Sequence, residues 1–279
     1  MEVIRTVAEM EHCREAAGGS VGLVPTMGYL HEGHLSLVRR ARDDNDLVVV
    51  SIFVNPSQFG PGEDLARYPR DEERDLALLR EDGVDIVFAP SVEAMYPPGF
   101  DDWVEVSGPV SQRLEGEHRP GHFRGVTTVV ARLFRIIRPG RAYFGQKDAQ
   151  QLRVIRRMVA GLGLPIDIIG LPIVREPDGL AMSSRNVYLS PAERAHALVI
   201  SHALHGARRA FGEGERDASS LRDQVRRLIA SEIGIEIDYV SVADDETLEE
   251  LSGPITRPAL VLVAVRVGPT RLIDNIELS

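Results

Sequence analysis

Val21-Gly22-Leu23-Val24-Pro25-Thr26-Met27-Gly28-Tyr29-Leu30-His31-Glu32-Gly33-His34-Leu35-Ser36-Leu37-Val38, followed by Leu47-Val48-Val49-Val50-Ser51-Ile52-Phe53-Val54, is the stretch whose reading decides the fold. Residues 21–25 are short and mostly apolar, which predicts a strand. A loop holding Gly28 and Gly33 leads into residues 34–42, where Leu35, Leu37 and Val38 are apolar and Arg39, Arg40 and Arg42 are polar. That arrangement is what a helix with one buried face requires. The run 47–54 is apolar almost throughout rather than alternating, which suits a strand covered on both faces of a parallel sheet.

The same alternation continues outward. Residues 71–82 read as a helix closed by Gly83, and 84–88 as the next strand. Residues 126–137 read as a helix, 141–144 as a strand, 149–160 as a helix and 166–174 as an extended segment. Residues 103–106 look like a short excursion from this pattern. Strands alternating with helices imply βαβ units with right-handed crossovers. After Glu176-Pro177-Asp178-Gly179 the order changes to two helices, 191–211 and 219–232, and then three strands, 236–242, 259–267 and 271–276. The expected architecture is α/β: a Rossmann-like parallel-sheet domain over 1–175, and a smaller α+β domain over 176–279 acting as a lid.

Composition narrows the function classes. With 279 residues, one large or two medium domains are expected. A net charge of −10 argues against nucleic acid as a general partner, because binding a phosphate backbone needs a basic face. Cys13 is the only cysteine, so neither a disulfide nor a cysteine zinc site is expected. No apolar run approaches membrane-spanning length, and Met1-Glu2-Val3-Ile4-Arg5 does not begin as a secretion signal does. A cytoplasmic protein without membrane partners is the expectation.

Against that acidic background, the cations are unevenly written. Of 32 Lys and Arg residues only Lys147 is a lysine, inside Phe144-Gly145-Gln146-Lys147-Asp148. Either one codon escaped an arginine bias by chance, or a tight pocket there needs a compact ammonium for a phosphate or a developing negative charge. A P-loop is excluded because Asp148 follows the lysine, and no dinucleotide fingerprint follows the first strand. The loop Thr26-Met27-Gly28-Tyr29-Leu30-His31-Glu32-Gly33-His34 instead runs into a helix, whose unpaired amides favour anions. Its two histidines, three residues apart, can face one way, donate to phosphate oxygens and titrate near neutrality. Two other readings stand beside this one: a histidine pair binding a metal, for which no third ligand is evident, and ordinary polar loop residues.

Five blocks taken together are more specific. They are Pro25-Thr26-Met27-Gly28, His31-Glu32-Gly33-His34, Phe53-Val54-Asn55-Pro56-Ser57-Gln58-Phe59, Phe144-Gly145-Gln146-Lys147-Asp148-Ala149-Gln150-Gln151 and Met182-Ser183-Ser184-Arg185-Asn186. The His-x-Gly-His loop is similar to the signature of the nucleotidyltransferase superfamily. The five in this order closely resemble the pantothenate synthetase (pantoate–β-alanine ligase) family, with Gln146 where that family often has Glu and Ala149 where it often has an aromatic residue.

The resemblance implies an ATP-dependent, cytoplasmic, homodimeric ligase. It would join (R)-pantoate to β-alanine through pantoyl adenylate, releasing pyrophosphate and AMP. It implies ATP contacts from Met27, Gly28, Tyr29, Leu30, His31, Glu32, Gly33, His34, Gly145, Gln146, Lys147, Asp148, Val174, Met182, Ser183, Ser184 and Arg185. His34, His31 and Lys147 would be catalytic, with His34 the proton donor, and Gln58 and Gln151 would hold pantoate. Mg²⁺ is expected with the triphosphate, held by phosphate oxygens and water, and no protein ligand for it can be named. Gln150 would point away from the substrate, and Asn55 before Pro56 would fix the loop bearing Gln58. The segment 119–124 reads either as a cover in which Arg119 attracts an anion or as a solvated loop. His196, His202 and His205 read as surface or packing residues of the C-terminal lobe.

Overall fold

The computed structural model describes all 279 residues. A six-stranded parallel sheet holds β1 (Glu2–Ile4), β2 (Val21–Thr26), β3 (Leu47–Ile52), β4 (Ile86–Phe88), β5 (Arg141–Gly145) and β6 (Asp167–Leu171), in the order β1-β4-β3-β2-β5-β6. The expected parallel sheet is therefore present. β3 is buried along most of its length, as its unbroken apolar run requires.

Helices cover both faces. On one, α2 (Glu32–Asp44) and α3 (Glu72–Glu81) press Leu35, Leu37, Val38, Ala41 and Leu79 onto Val24, Val48, Val50 and Val87. On the other, α1 (Val7–Ala16), α7 (His122–Ile137) and α8 (Ala149–Leu162) bury Met10, Val130, Leu133, Leu152 and Ile155 against Leu23, Val49 and Phe88. Short turns α4 (Val92–Met95), α5 (Pro109–Gln112) and α6 (Glu115–His118) fill the β4–α7 connection.

The C-terminal lobe packs α9 (Pro191–Gly212) and α10 (Ala218–Ala230) on an antiparallel sheet of β7 (Ile235–Asp244), β8 (Ala259–Val267) and β9 (Thr270–Leu278). Ser190 caps α9 through a reciprocal bond with Glu193, a frequent start for such a helix. A small apolar cluster joins the lobes: Val110, Leu114, Phe123 and Ala149 from the first meet Leu248, Leu260 and Leu262 from the second.

Several expectations need correction. β1 and α1 went unpredicted, because β1 has three residues and α1 fully buries only Met10. The excursion at 103–106 holds no regular element: the Val104 N–H donates to the Thr128 hydroxyl and the Thr127 hydroxyl donates to the Val104 carbonyl. The extended run 166–174 is β-paired only to Leu171. Helix α7 begins at His122, so half of the segment read as a loop is helical and buries His122 and Phe123.

Candidate active site

The sheet order reverses at β2 and β5, which are neighbours although β3 and β4 lie between them in sequence. In a parallel α/β sheet the crevice at the carboxyl ends of such strands is where ligands bind. β2 ends at Thr26 and delivers the histidine loop, while β5 ends at Gly145 and delivers Gln146-Lys147-Asp148. Residues far apart in sequence are thus brought to one place by topology.

The first loop is held from beneath by a residue that no motif indicated. Asp75 of α3, only 1% exposed, accepts the backbone N–H groups of Tyr29 at 2.6 Å and Leu30 at 2.7 Å. Burial outweighs those two bonds and raises its pKa. The loop then enters α2 at Glu32, two residues earlier than periodicity suggested, because His31 itself is the N-cap. His31 Nδ1 accepts from the Gly33 N–H at 3.1 Å, and His34 Nδ1 accepts from the His31 N–H at 3.3 Å. A side chain at position 33 would put its Cβ 2.9 Å from the His31 ring, so glycine is needed for the ring to fold back.

These two bonds fix the chemistry of both imidazoles. Each Nδ1 is an acceptor, so each ring carries its proton on Nε2 and presents it as a donor. The rings lie 4.1 Å apart, centroid to centroid. Burial, then the Lys147 ammonium, pulls His31 down to about 4. Burial, then His31 and Lys147, holds His34 well below the usual histidine range. The expectation that both titrate near neutrality therefore fails for the ligand-free protein. Two buried, closely spaced rings beside an ammonium favour the neutral form.

Lys147 reaches this crevice from a tight turn at the start of α8. Its nearest carboxylate is Asp148 at 3.9 Å, a loose contact. The cleft arginines differ: Arg185 makes a bidentate pair with Asp64 at 2.8 and 2.9 Å, and Arg119 pairs with Glu63 at 2.7 and 2.9 Å. Adjacent carboxylates of one strap thus occupy both guanidiniums, and Lys147 is the more loosely held cation. In the second loop the Ser184 hydroxyl donates to the Tyr29 carbonyl at 3.2 Å, tying it to the first, and the Ser183 hydroxyl accepts the Arg185 N–H.

The floor beside the imidazoles is apolar, with Phe53, Val126, Val129, Val130 and Phe144 lining a cavity of about 220 Å³. Gln58 and Gln151 both line it. Asn55, 1% exposed, organises the Gln58 turn: its amide donates to Gln58 Oε1 and the Gly125 carbonyl, and its oxygen accepts from Ser57 and Tyr96. His122 donates from Nδ1 to the Gln58 carbonyl at 2.9 Å and accepts from Arg119 at its other nitrogen. Burial, then Arg119, lowers His122 to about 4. Arg119 is accordingly neither a solvated loop residue nor a free anion receptor.

His31, His34, Met27, Gly33, Gln58, Gly145, Lys147, Asp148, Gln151, Val174, Met182, Ser183, Ser184 and Arg185 all line that cavity. Gly28, Tyr29, Leu30, Glu32 and Gln146 do not. Leu30 is buried in the core and Glu32 pairs with Arg39 on the outer face of α2, so neither side chain faces a nucleotide. Gln150 is buried, bonding Glu115, Val110 and Arg113, away from the cavity that Gln151 lines. No three His, Cys, Asp or Glu side chains gather as a metal cage. Sequence reasoning missed Asp75, His122 and the carboxylates of Glu63 and Asp64; only the acidity of the strap was visible. A second cavity of about 360 Å³ opens between the lobes, lined by Lys147, Asp148, Arg185 and Arg271 among others.

Known proteins resemble this chain along its whole length. The sequence model described as "Pantoate-beta-alanine ligase" matches residues 2–277. The chain is 60% identical to the pantothenate synthetase of Roseiflexus sp. (strain RS-1), covering 100% of both, and 57% identical to that of Thermotoga petrophila, covering 99% of both. The crystal structure of pantothenate synthetase from Thermus thermophilus superposes with a TM-score of 0.95 at 53% identity, covering 100% of this chain and 99% of that one. The ligase of Francisella tularensis, solved with beta-gamma ATP and beta-alanine, gives a TM-score of 0.82 at 32% identity, covering 99% and 97%.

Proposed function

The chain belongs to the pantoate–β-alanine ligase family, and from that premise we propose that it condenses (R)-pantoate with β-alanine at the expense of ATP. The observation that carries this reading is one crevice holding two imidazole donors, a loosely paired lysine and two glutamines.

In the first step the pantoate carboxylate attacks the α-phosphorus and pyrophosphate leaves. Gln58 and Gln151 suit a ligand with two hydroxyls and a carboxylate, since an amide donates and accepts without adding charge. The apolar wall of Phe53, Val129 and Val130 suits its methyl groups. His31 and His34 donate Nε2–H to phosphate oxygens, and Lys147 offsets charge growing at the α-phosphate. An arriving polyanion raises the affinity of both imidazoles for a proton, so His34 becomes a proton donor only once the phosphates are bound. In the second step the β-alanine amine attacks the acyl carbon of the mixed anhydride and AMP departs. Mg²⁺ would enter with ATP, held largely by phosphate oxygens and water.

The strap carboxylates give Arg185 a further role: triphosphate oxygens replace Asp64 on its guanidinium, one bidentate partner for another. We also assign residues 1–175 and 176–279 to two domains, the second a lid, and a homodimer in the cytosol as the working form, on the resemblance alone. The test mixes purified protein, MgATP, pantoate and β-alanine, and measures AMP. Formation requires both co-substrates, and Gln151→Ala raises the KM for pantoate at least about tenfold more than that for ATP. Release of AMP without β-alanine, or equal effects on both KM values, contradicts the assignment.

A further inference from the structure

One side chain of the C-terminal lobe hydrogen-bonds the backbone of the Lys147 turn. Asn275 of β9, 2% exposed, donates from Nδ2 to the carbonyls of both Gln146 and Lys147, each at 2.9 Å. One amide nitrogen with two hydrogens therefore spans two successive carbonyls. The turn cannot rotate about either peptide without losing a bond inside a dry interface, where an unmet carbonyl is costly. Asn275 Oδ1 is buried without a partner, so these donated bonds are the side chain's whole hold on its surroundings.

The neighbouring residue ties a second nucleotide-side segment. Asp274, 5% exposed, pairs with Arg175 at 2.7 and 3.0 Å and accepts the Asn275 N–H at 2.8 Å. Arg175 follows Val174 and precedes the loop of Ser183 and Ser184. Two adjacent residues of one strand thus hold both segments flanking the ammonium.

We infer that Asn275 is a positioning residue for adenylate formation, fixing from the second lobe the turn that aims the Lys147 ammonium. A lysine on a freely swinging turn is a poor stabiliser of developing charge, because the reaction needs the cation in place beforehand. Asn275 bonds the backbone of the turn, not the ammonium itself, and acts through Lys147. The inference rests on the role given above to Lys147.

Single-turnover pyrophosphate release from the full-length protein tests it. Asn275→Ala slows release about tenfold in the parental background. In the Lys147→Ala background the same change slows it less than about twofold, because no ammonium is left to aim. Asn275→Ser, which keeps one donor, falls between, with the pantoate KM unchanged in each. Circular dichroism and thermal melting establish that each variant is folded; should the alanine variant not fold, the serine variant is carried through the same cycle. Equal slowing in both backgrounds makes Asn275 a purely structural residue and overturns the inference. A Lys147→Ala protein releasing pyrophosphate at the parental rate removes the lysine assignment, and the inference with it.

Discussion

Replacing Gly125 by alanine adds one methyl group to the first turn of α7, and the structure leaves it no room. The new Cβ would stand 2.5 Å from the Ser57 carbonyl carbon and 2.7 Å from the Gln58 Cα, and closer still to the Ser57 carbonyl oxygen. Ordinary contact begins near 3.4 Å, so helix and turn must separate by about 1 Å. All three obstructing atoms are backbone, hence no rotamer change relieves the clash. The displaced turn carries Gln58 and is also held by Asn55, which bonds the Gly125 carbonyl itself. Overpacking of this kind destabilises by about 1–3 kcal/mol. A displacement of about 1 Å in a positioning group lowers turnover by up to about 100-fold. Gly125→Ala should therefore melt lower and show a raised KM for pantoate, with the KM for ATP changed far less, since Lys147 and the histidine loop hang from other strands. Steady-state kinetics with each substrate varied, alongside thermal unfolding, measures both effects. A variant with parental melting temperature and parental pantoate KM would show that the helix–turn contact does not set Gln58, and the reasoning would fail.

Two predictions concern protons. Burial pushes Glu115 up, but the bidentate Arg271 guanidinium, with Arg119 and the Tyr239 hydroxyl, holds it at about 2 against 4.5 when unfolded. The folded pKa lies below the unfolded one, so the stabilisation is present above pH 4.5 and lost as pH falls towards 2. It amounts to about 3 kcal/mol. Urea unfolding at about pH 6 and about pH 3 should show roughly 2 kcal/mol of that loss, and Glu115→Gln should flatten it; an equal drop in the variant would place the loss elsewhere. Because His31 sits at about 4 when the site is empty, against 6.5 ordinarily, ATP should drive proton uptake when it binds between those two pH values. Calorimetry in buffers of different ionisation enthalpy reads this directly, and a heat independent of buffer would mean the imidazoles stay neutral beside the phosphates.

The amino-acid order alone determined the parallel sheet, because an unbroken apolar run such as 47–54 has one stable fate, burial between two helical layers. It also marked the histidine loop and the lysine turn at the ends of two strands, whereas both glutamines came only from the resemblance to the ligase family. The proton state of the histidines was not legible there. Spacing suggested two imidazoles titrating near neutrality, whereas burial, with the rings 4.1 Å apart beside an ammonium, keeps them neutral. Nor could periodicity show that Asp75 supports the first loop from 45 residues away, or that Asp64 fills the guanidinium of Arg185. The reason is one of range. Hydrophobic pattern is a local property of the chain, set by a period of about two or about 3.6 residues. Hydrogen-bond partners and electrostatic fields depend on which distant groups share a desolvated volume, and only the folded chain brings those groups together.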